Sequence, residues 1–273
     1  MGFLERLRSA QDRNESLLCL GLDPDPDRLE GRHIPSFLQE IVEATLDQVC
    51  AYKVNLAFFE SLGPSGMNVL MECLAPVPRE VPIIADGKRG DIPNTARFYA
   101  RALFEVYGFD AVTLNPYGGR DSLEPFLEYE GRGIFIWCRS SNPGAADLQS
   151  LPLADGRPLY LAVAEMARSL AGRGEVGLVV GATAPGELAR VRQACPELPI
   201  LVPGIGPQGG DLAAALAGGL DAQGGGVIIT VSRQVLYASS GRDFARAARR
   251  QAEALRDEIN RRRAEVLVSR RGG

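Results

Sequence analysis

Two kinds of side chain are nearly missing from this sequence. Of its 30 basic residues only Lys53 and Lys88 are lysine, the other 28 being arginine, and its one histidine, His33, lies in the charged, loop-like stretch "DRLEGRHIP". With a single imidazole, a Ser-His-Asp triad, a Cys-His pair or an H-E-x-x-H zinc site has no material. The five cysteines, at 19, 50, 73, 138 and 195, are odd in number and show no C-x-x-C spacing. A disulfide framework or a zinc ribbon is therefore not expected, and a reducing cytoplasm is the expected location. No apolar run reaches the roughly 18 residues of a membrane span. The opening "MGFLERLRSAQDRNES" sets charges where a signal peptide needs an apolar centre, so neither membrane insertion nor export is expected. Neither G-x-G-x-x-G after the first strand nor G-x-x-x-x-G-K-[ST] occurs, which removes support for nicotinamide and nucleoside triphosphate chemistry.

What is present reads as one large globular domain, expected to span residues 1–273. The chain is 45% hydrophobic and 23% charged, and its net charge of −4 argues against a general nucleic-acid binder. From Gly241 onward ten arginines face five acidic residues, at i, i+3 and i+4 spacings that predict a solvated amphipathic helix over about 243–265.

Eight short apolar runs of strand type recur along the chain, at 16–23, 51–59, 81–86, 110–116, 133–138, 175–182, 198–204 and 225–232. Helix-like stretches alternate with them at 36–49, 65–75, 92–107, 120–129, 158–171, 185–195, 210–218 and 243–265. Continuous rather than alternating apolar strands, each followed by a helix, indicate a parallel sheet covered on its outer face. Eight such units predict a closed (β/α)8 barrel over about residues 16–240 with an extended C-terminal helix.

Barrel enzymes place their chemistry at the C-terminal ends of the strands. Asp23, Lys53, Asn55, Asp86, Lys88, Asn115, the segment "RSSNPG", the loop "PGIGPQGG" and the pair Ser232 and Arg233 all fall there, and both lysines are among them. Arginine stays protonated whereas lysine can release a proton, so two lysines kept at this rim point to proton chemistry. The stretch "IIADGKRGDIPNTA" concentrates that signal. If Asp86 and Lys88 follow the pleat they face one pocket, about 7 Å apart along the strand. Asp91, just ahead of Pro93, reads as a helix N-cap or as a further carboxylate of the same group. An ammonium between two carboxylates gains on the order of 4 kcal/mol from each close contact at an effective dielectric near 20, so Lys88 is expected to stay protonated. The glycines of "PGIGPQGGD", ahead of a helix start, together with Arg233 and Gln208, form the expected phosphate handle.

Taken together, "LCLGLDPDP", "KVN", Asp86, Lys88, Asp91, Ile92 and Thr95, "SSNPGA", "PGIGPQGGD" and "VSR" resemble the orotidine 5'-phosphate decarboxylase family, in its longer bacterial branch. The resemblance runs from about residue 16 to 240. It implies conversion of orotidine 5'-phosphate to UMP and carbon dioxide in pyrimidine synthesis, with no cofactor and no metal. It implies Lys88 as the acid that protonates C6, Asp86 beside the departing carboxylate, and Lys53 and Asp91 completing an Asp, Lys, Asp, Lys array. Asp23 would bind the ribose, Ser141 (with Ser140 as rival) the pyrimidine edge, and Gln208 with Arg233 the phosphate. Asp91 and Thr95 would come from a partner subunit, making a homodimer with shared sites. Ser232 stands where a glycine is common in the family.

Three other readings remain at this point. A metal-dependent barrel acting on sugar phosphates shares the D-x-K-x-x-D element but needs a carboxylate where Lys53 stands. A Schiff-base enzyme would use Lys53 with a lowered pKa. A silent nucleotide-binding module would have no need of the charge array.

Overall fold

The computed structural model describes residues 1–206 and 209–271. The eight apolar runs form β1 (Leu18–Gly21), β2 (Ala51–Asn55), β3 (Ile83–Arg89), β4 (Ala111–Leu114), β5 (Gly133–Arg139), β6 (Glu175–Val180), β7 (Ile200–Val202) and β8 (Val227–Val231). Each pairs in parallel with the next, and β8 pairs with β1, closing the barrel. The surrounding helices are α1 (Phe3–Arg13), α2 (Ile34–Thr45), α3 (Leu56–Glu60), α4 (Gly66–Leu74), α5 (Pro93–Arg101), α6 (Glu124–Leu127) and α7 (Ala146–Gln149). They continue with α8 (Leu159–Leu170), α9 (Pro185–Ala194), α10 (Leu212–Gly219), α11 (Arg233–Leu236) and α12 (Phe244–Arg271).

One inward residue per strand builds the lower interior: Cys19, Ala51, Ile84, Ala111, Phe135, Val179, Leu201 and Ile228, all buried. Phe135 is the largest of them, and small neighbours make room for it. A Cβ on Gly177 would lie 2.5 Å from its ring. From below, α1 plugs the barrel with Phe3 and Leu7, the Phe3 ring meeting Phe135 edge-on at 5.7 Å. Gly133 admits that plug, since a Cβ there would lie 2.4 Å from Phe3.

Several boundaries differ from the sequence reading for local reasons. The second strand, expected over 51–59, ends at Asn55, whose side chain accepts the Ala57 N–H at 3.1 Å and starts α3. The helix expected over 120–129 is a 3-10 turn followed by the short α6, and the one expected over 92–107 passes from α5 into a π-helical stretch at 102–106. The C-terminal helix runs on to Arg271. The helix α1 is absent from that reading, because only Phe3, Leu7 and Ala10 of its eleven residues are buried.

The third strand departs most. It continues to Arg89 instead of ending at 86, and Lys88 has φ +44. Its register with β4 jumps from Ala85 opposite Val112 to Arg89 opposite Leu114, so Asp86, Gly87 and Lys88 bulge against Thr113 alone.

Candidate active site

Strand side chains alternate with period two, so the residue two beyond each inward one points to the same axis a step nearer the mouth. On six strands that step reaches Gly21, Lys53, Asp86, Thr113, Trp137 and Thr230. Lys53, Asp86, Trp137 and Thr230 line a cavity of about 510 Å³, which Asp23, Lys88, Ser140, Ser141 and Arg233 also line. The polar groups sit directly on the apolar floor, and the floor explains their burial.

The charges form a ladder. Lys88 Nζ donates to Asp86 Oδ1 at 2.6 Å, Lys53 Nζ donates to Asp86 Oδ2 at 3.1 Å, and Lys53 Nζ lies 4.0 Å from Asp23 Oδ2. Asp23 is fixed from behind by the Asn55 N–H, at 2.9 Å from its Oδ1. The Lys53 side chain is 6% exposed and that of Lys88 31%, so one ammonium is interior and the other faces the opening. Burial by itself would lower the Lys53 pKa, but Asp23 and Asp86 override it and hold the group above its usual value. Burial likewise pushes the Asp86 carboxyl up, and the two lysines, with hydrogen bonds from Lys88 and Thr113, hold it well below the usual carboxylate range. Both groups are therefore charged at neutral pH. Lys53, rather than Lys88 as the sequence suggested, is the ammonium with a carboxylate on either side within this chain. Nor do Asp86 and Lys88 follow one pleat: the bulge folds the Lys88 side chain back onto Asp86.

Asp91 and Thr95 do not line the cavity. Asp91 accepts the Ile92 N–H at 2.7 Å, and α5 has Ile92 at its N-cap, so the expected cap by Asp91 is not made. Close to them in sequence, Ile92 and Phe98 are 67% and 64% exposed.

Loop β5–α7 carries the serines. Ser140 donates its hydroxyl to Asn142 Oδ1 at 2.5 Å, and its N–H goes to Gln149 Oε1 at 2.9 Å. The Ser141 carbonyl accepts the Thr183 hydroxyl at 2.9 Å, and a Cβ on Gly181 would lie 2.7 Å from the Ser141 backbone, so only glycine lets the two loops meet. Arg233 is exposed at the cavity mouth, at the start of α11. Gln208 lies outside the described residues. The glycine loop after β7 differs from expectation, since Gly209 and Gly210 donate their N–H groups to the carbonyls of Gly206 and Gly204 at 2.8 and 3.0 Å. The N-terminus of α10 is also engaged, because Asp211 Oδ1 accepts from the N–H groups of Ala213 and Ala214. His33 is an exposed residue at the N-cap of α2, away from the cavity.

Sequence reasoning passed over Thr113 and Trp137. Trp137 is the chain's one tryptophan, its ring 5.5 Å from Lys88 Nζ. The period-two spacing from Ala111 and Phe135 was the available signal for both.

A barrel mouth with this ladder restricts kinship sharply, and comparison with known proteins agrees with it. The orotidine 5'-phosphate decarboxylase / HUMPS family matches residues 16–248. This chain belongs to that family. A relative from Roseiflexus castenholzii named orotidine 5'-phosphate decarboxylase is 53% identical over 267 residues, 95% of this chain and 98% of the relative. The crystal structure of a Toxoplasma gondii protein described as a putative orotidine-monophosphate-decarboxylase superposes with a TM-score of 0.91 at 37% identity, covering 98% of both chains. Leishmania donovani UMP synthase superposes at 0.88 with 44% identity over 96% of this chain, which spans 57% of that longer one.

Proposed function

We infer that this chain is an orotidine 5'-phosphate decarboxylase acting in pyrimidine nucleotide synthesis. The observation that carries the reading is the ladder Lys88, Asp86, Lys53, Asp23 at the mouth of a barrel of this family. In the reaction the bond between C6 of the pyrimidine and its carboxylate breaks. Carbon dioxide leaves, the electron pair stays on C6, and Lys88 delivers a proton there to give UMP; solvent then reprotonates the amine. No adjacent group takes up the electron pair, so stabilisation must come from charge fixed in advance. Lys88 supplies both the field and the proton. Asp86 stands beside the departing carboxylate and, bonded to both lysines, aims Lys88. Lys53 extends the array beside Asp86, Asp23 meets the ribose hydroxyls, Ser141 the pyrimidine edge, and Arg233 the phosphate, with Gln208 assigned there by family resemblance. Phosphate binding remote from C6 contributes to the rate by holding the substrate against the array.

Asp91 and Thr95 are assigned to the active site of a second copy. Their place outside this chain's own cavity, close in sequence to exposed Ile92 and Phe98, supports a homodimer whose interface would cover those apolar side chains. A Schiff base at Lys53 is disfavoured, since that chemistry needs a free amine and Lys53 is held protonated. Five buried, unpaired cysteines support a cytoplasmic location.

The test is direct. Purified protein incubated with orotidine 5'-phosphate in excess chelator should consume the substrate, followed by loss of its pyrimidine absorbance, and Lys88→Ala should abolish the reaction. Activity retained in that variant removes Lys88 as the acid.

A further inference from the structure

We propose that Thr113 is a positioning residue for this reaction, its hydroxyl setting the angle at which Asp86 and Lys88 face the substrate. The inference rests on the decarboxylase reading of the site. Thr113 is 1% exposed on β4 and stands alone opposite the bulge of Asp86, Gly87 and Lys88. Its Oγ1 accepts the Lys88 backbone N–H at 3.0 Å and donates to Asp86 Oδ1 at 2.8 Å. The same carboxylate oxygen receives Lys88 Nζ at 2.6 Å, so backbone, hydroxyl, carboxylate and ammonium close a ring.

The direction of each bond in that ring is fixed. A carboxylate cannot donate and an amide N–H cannot accept, so the one hydroxyl proton must go to Asp86 and a lone pair must take the N–H. The bulge has displaced the Lys88 N–H from regular pairing, and Thr113 gives it a partner. Lys88 at φ +44 occupies a backbone region that side chains other than glycine rarely adopt, and its ammonium reaches Asp86 from there. The branched Cβ of threonine stiffens χ1 and keeps the oxygen between its two partners. Valine has the same shape without the oxygen. It would leave the N–H unpaired and Asp86 one donor short, freeing the carboxylate to turn.

The experiment compares wild type, Thr113→Val and Thr113→Ser by steady-state kinetics, by UMP binding and by thermal melting. Thr113→Val is expected to lower kcat about 10- to 100-fold, the scale of small misplacements of reacting groups. UMP binding should change less than about threefold, because the phosphate end of the site is untouched. The acid limb of the kcat profile should move to higher pH, since a carboxylate that loses a donor is easier to protonate. Thr113→Ser, which keeps the oxygen, should recover kcat to within about threefold of wild type. A purely structural role would lower the melting temperature of the valine variant and leave kcat and its pH profile in place, and that result overturns the proposal. A serine variant as slow as valine also overturns it. If the valine variant does not fold, Thr113→Ala removes the same oxygen without forcing a methyl into its place and is held to the same kinetic outcome. An active wild type beside an equally fast valine or alanine variant overturns this inference alone, whereas an inactive wild type overturns the decarboxylase reading and this inference together.

Discussion

At the scale of single residues, the site depends on Lys53 as the inner counterion of two carboxylates. Removing one member of a buried charge group leaves the others uncompensated in a poorly solvated place. Lys53→Met should therefore destabilise the protein by about 3 kcal/mol at neutral pH. The loss should shrink as pH falls and Asp86, left with Lys88 as its one ammonium partner, takes up a proton more readily than in wild type, which denaturant unfolding at several pH values would show. A loss that is small and independent of pH would mean that the ladder is not coupled. The sequence announced this residue through scarcity: with two lysines against 28 arginines, both read at the rim of the barrel, the reading found Lys53 and Lys88 before any geometry was known. It flanked Lys88 with Asp86 and Asp91, and within this chain only the first of those contacts is made, Lys53 being the ammonium between two carboxylates. Thr113 stayed hidden for a different reason, since a threonine in a β-strand carries no signal of its own until its neighbours across the sheet are known.

At the scale of elements, the helix α12 is held to α2 by a paired charge at its first turns. Arg249 donates to Asp47 Oδ1 and Oδ2 at 2.6 and 2.7 Å and to the Ala44 carbonyl at 2.8 Å. The hydrogen bonds from Arg249 hold the Asp47 carboxyl down at about 2, against an ordinary 3.8. A carboxyl whose folded pKa is lowered stabilises the fold above its unfolded pKa, and that contribution fades as pH falls through the folded value. Asp47→Asn should therefore melt a few degrees or less below wild type at pH 7, as for an exposed pair. The gap should narrow as pH falls from about 4 towards about 2. A gap that stays constant across that range would show that the charge does not contribute. Strands and long helices were readable because burial on both faces leaves continuous apolar runs. Their ends depended on capping contacts, such as that of Asn55, which sequence spacing marks only weakly. The plug α1 was unreadable because its target, the barrel floor around Phe135, exists only after the barrel has closed.

At the scale of the whole molecule, the barrel and its family were legible, while the site was legible only in part, because Asp91 and Thr95, close in sequence to Lys88, do not line this chain's cavity. We propose a single folding domain over residues 1–273 that works as a homodimer, each cavity receiving Asp91 and Thr95 from the other copy. In a symmetric pair each copy both gives and receives, so two differently damaged chains can repair one another. Lys88→Ala and Asp91→Ala should each be inactive alone. After subunit exchange, half of the dimers are mixed and each mixed dimer holds one site with neither lesion, so activity should return to about a quarter of wild type. Recovery of that size in the mixture is what the shared array predicts, and a mixture no more active than its two parents would contradict it.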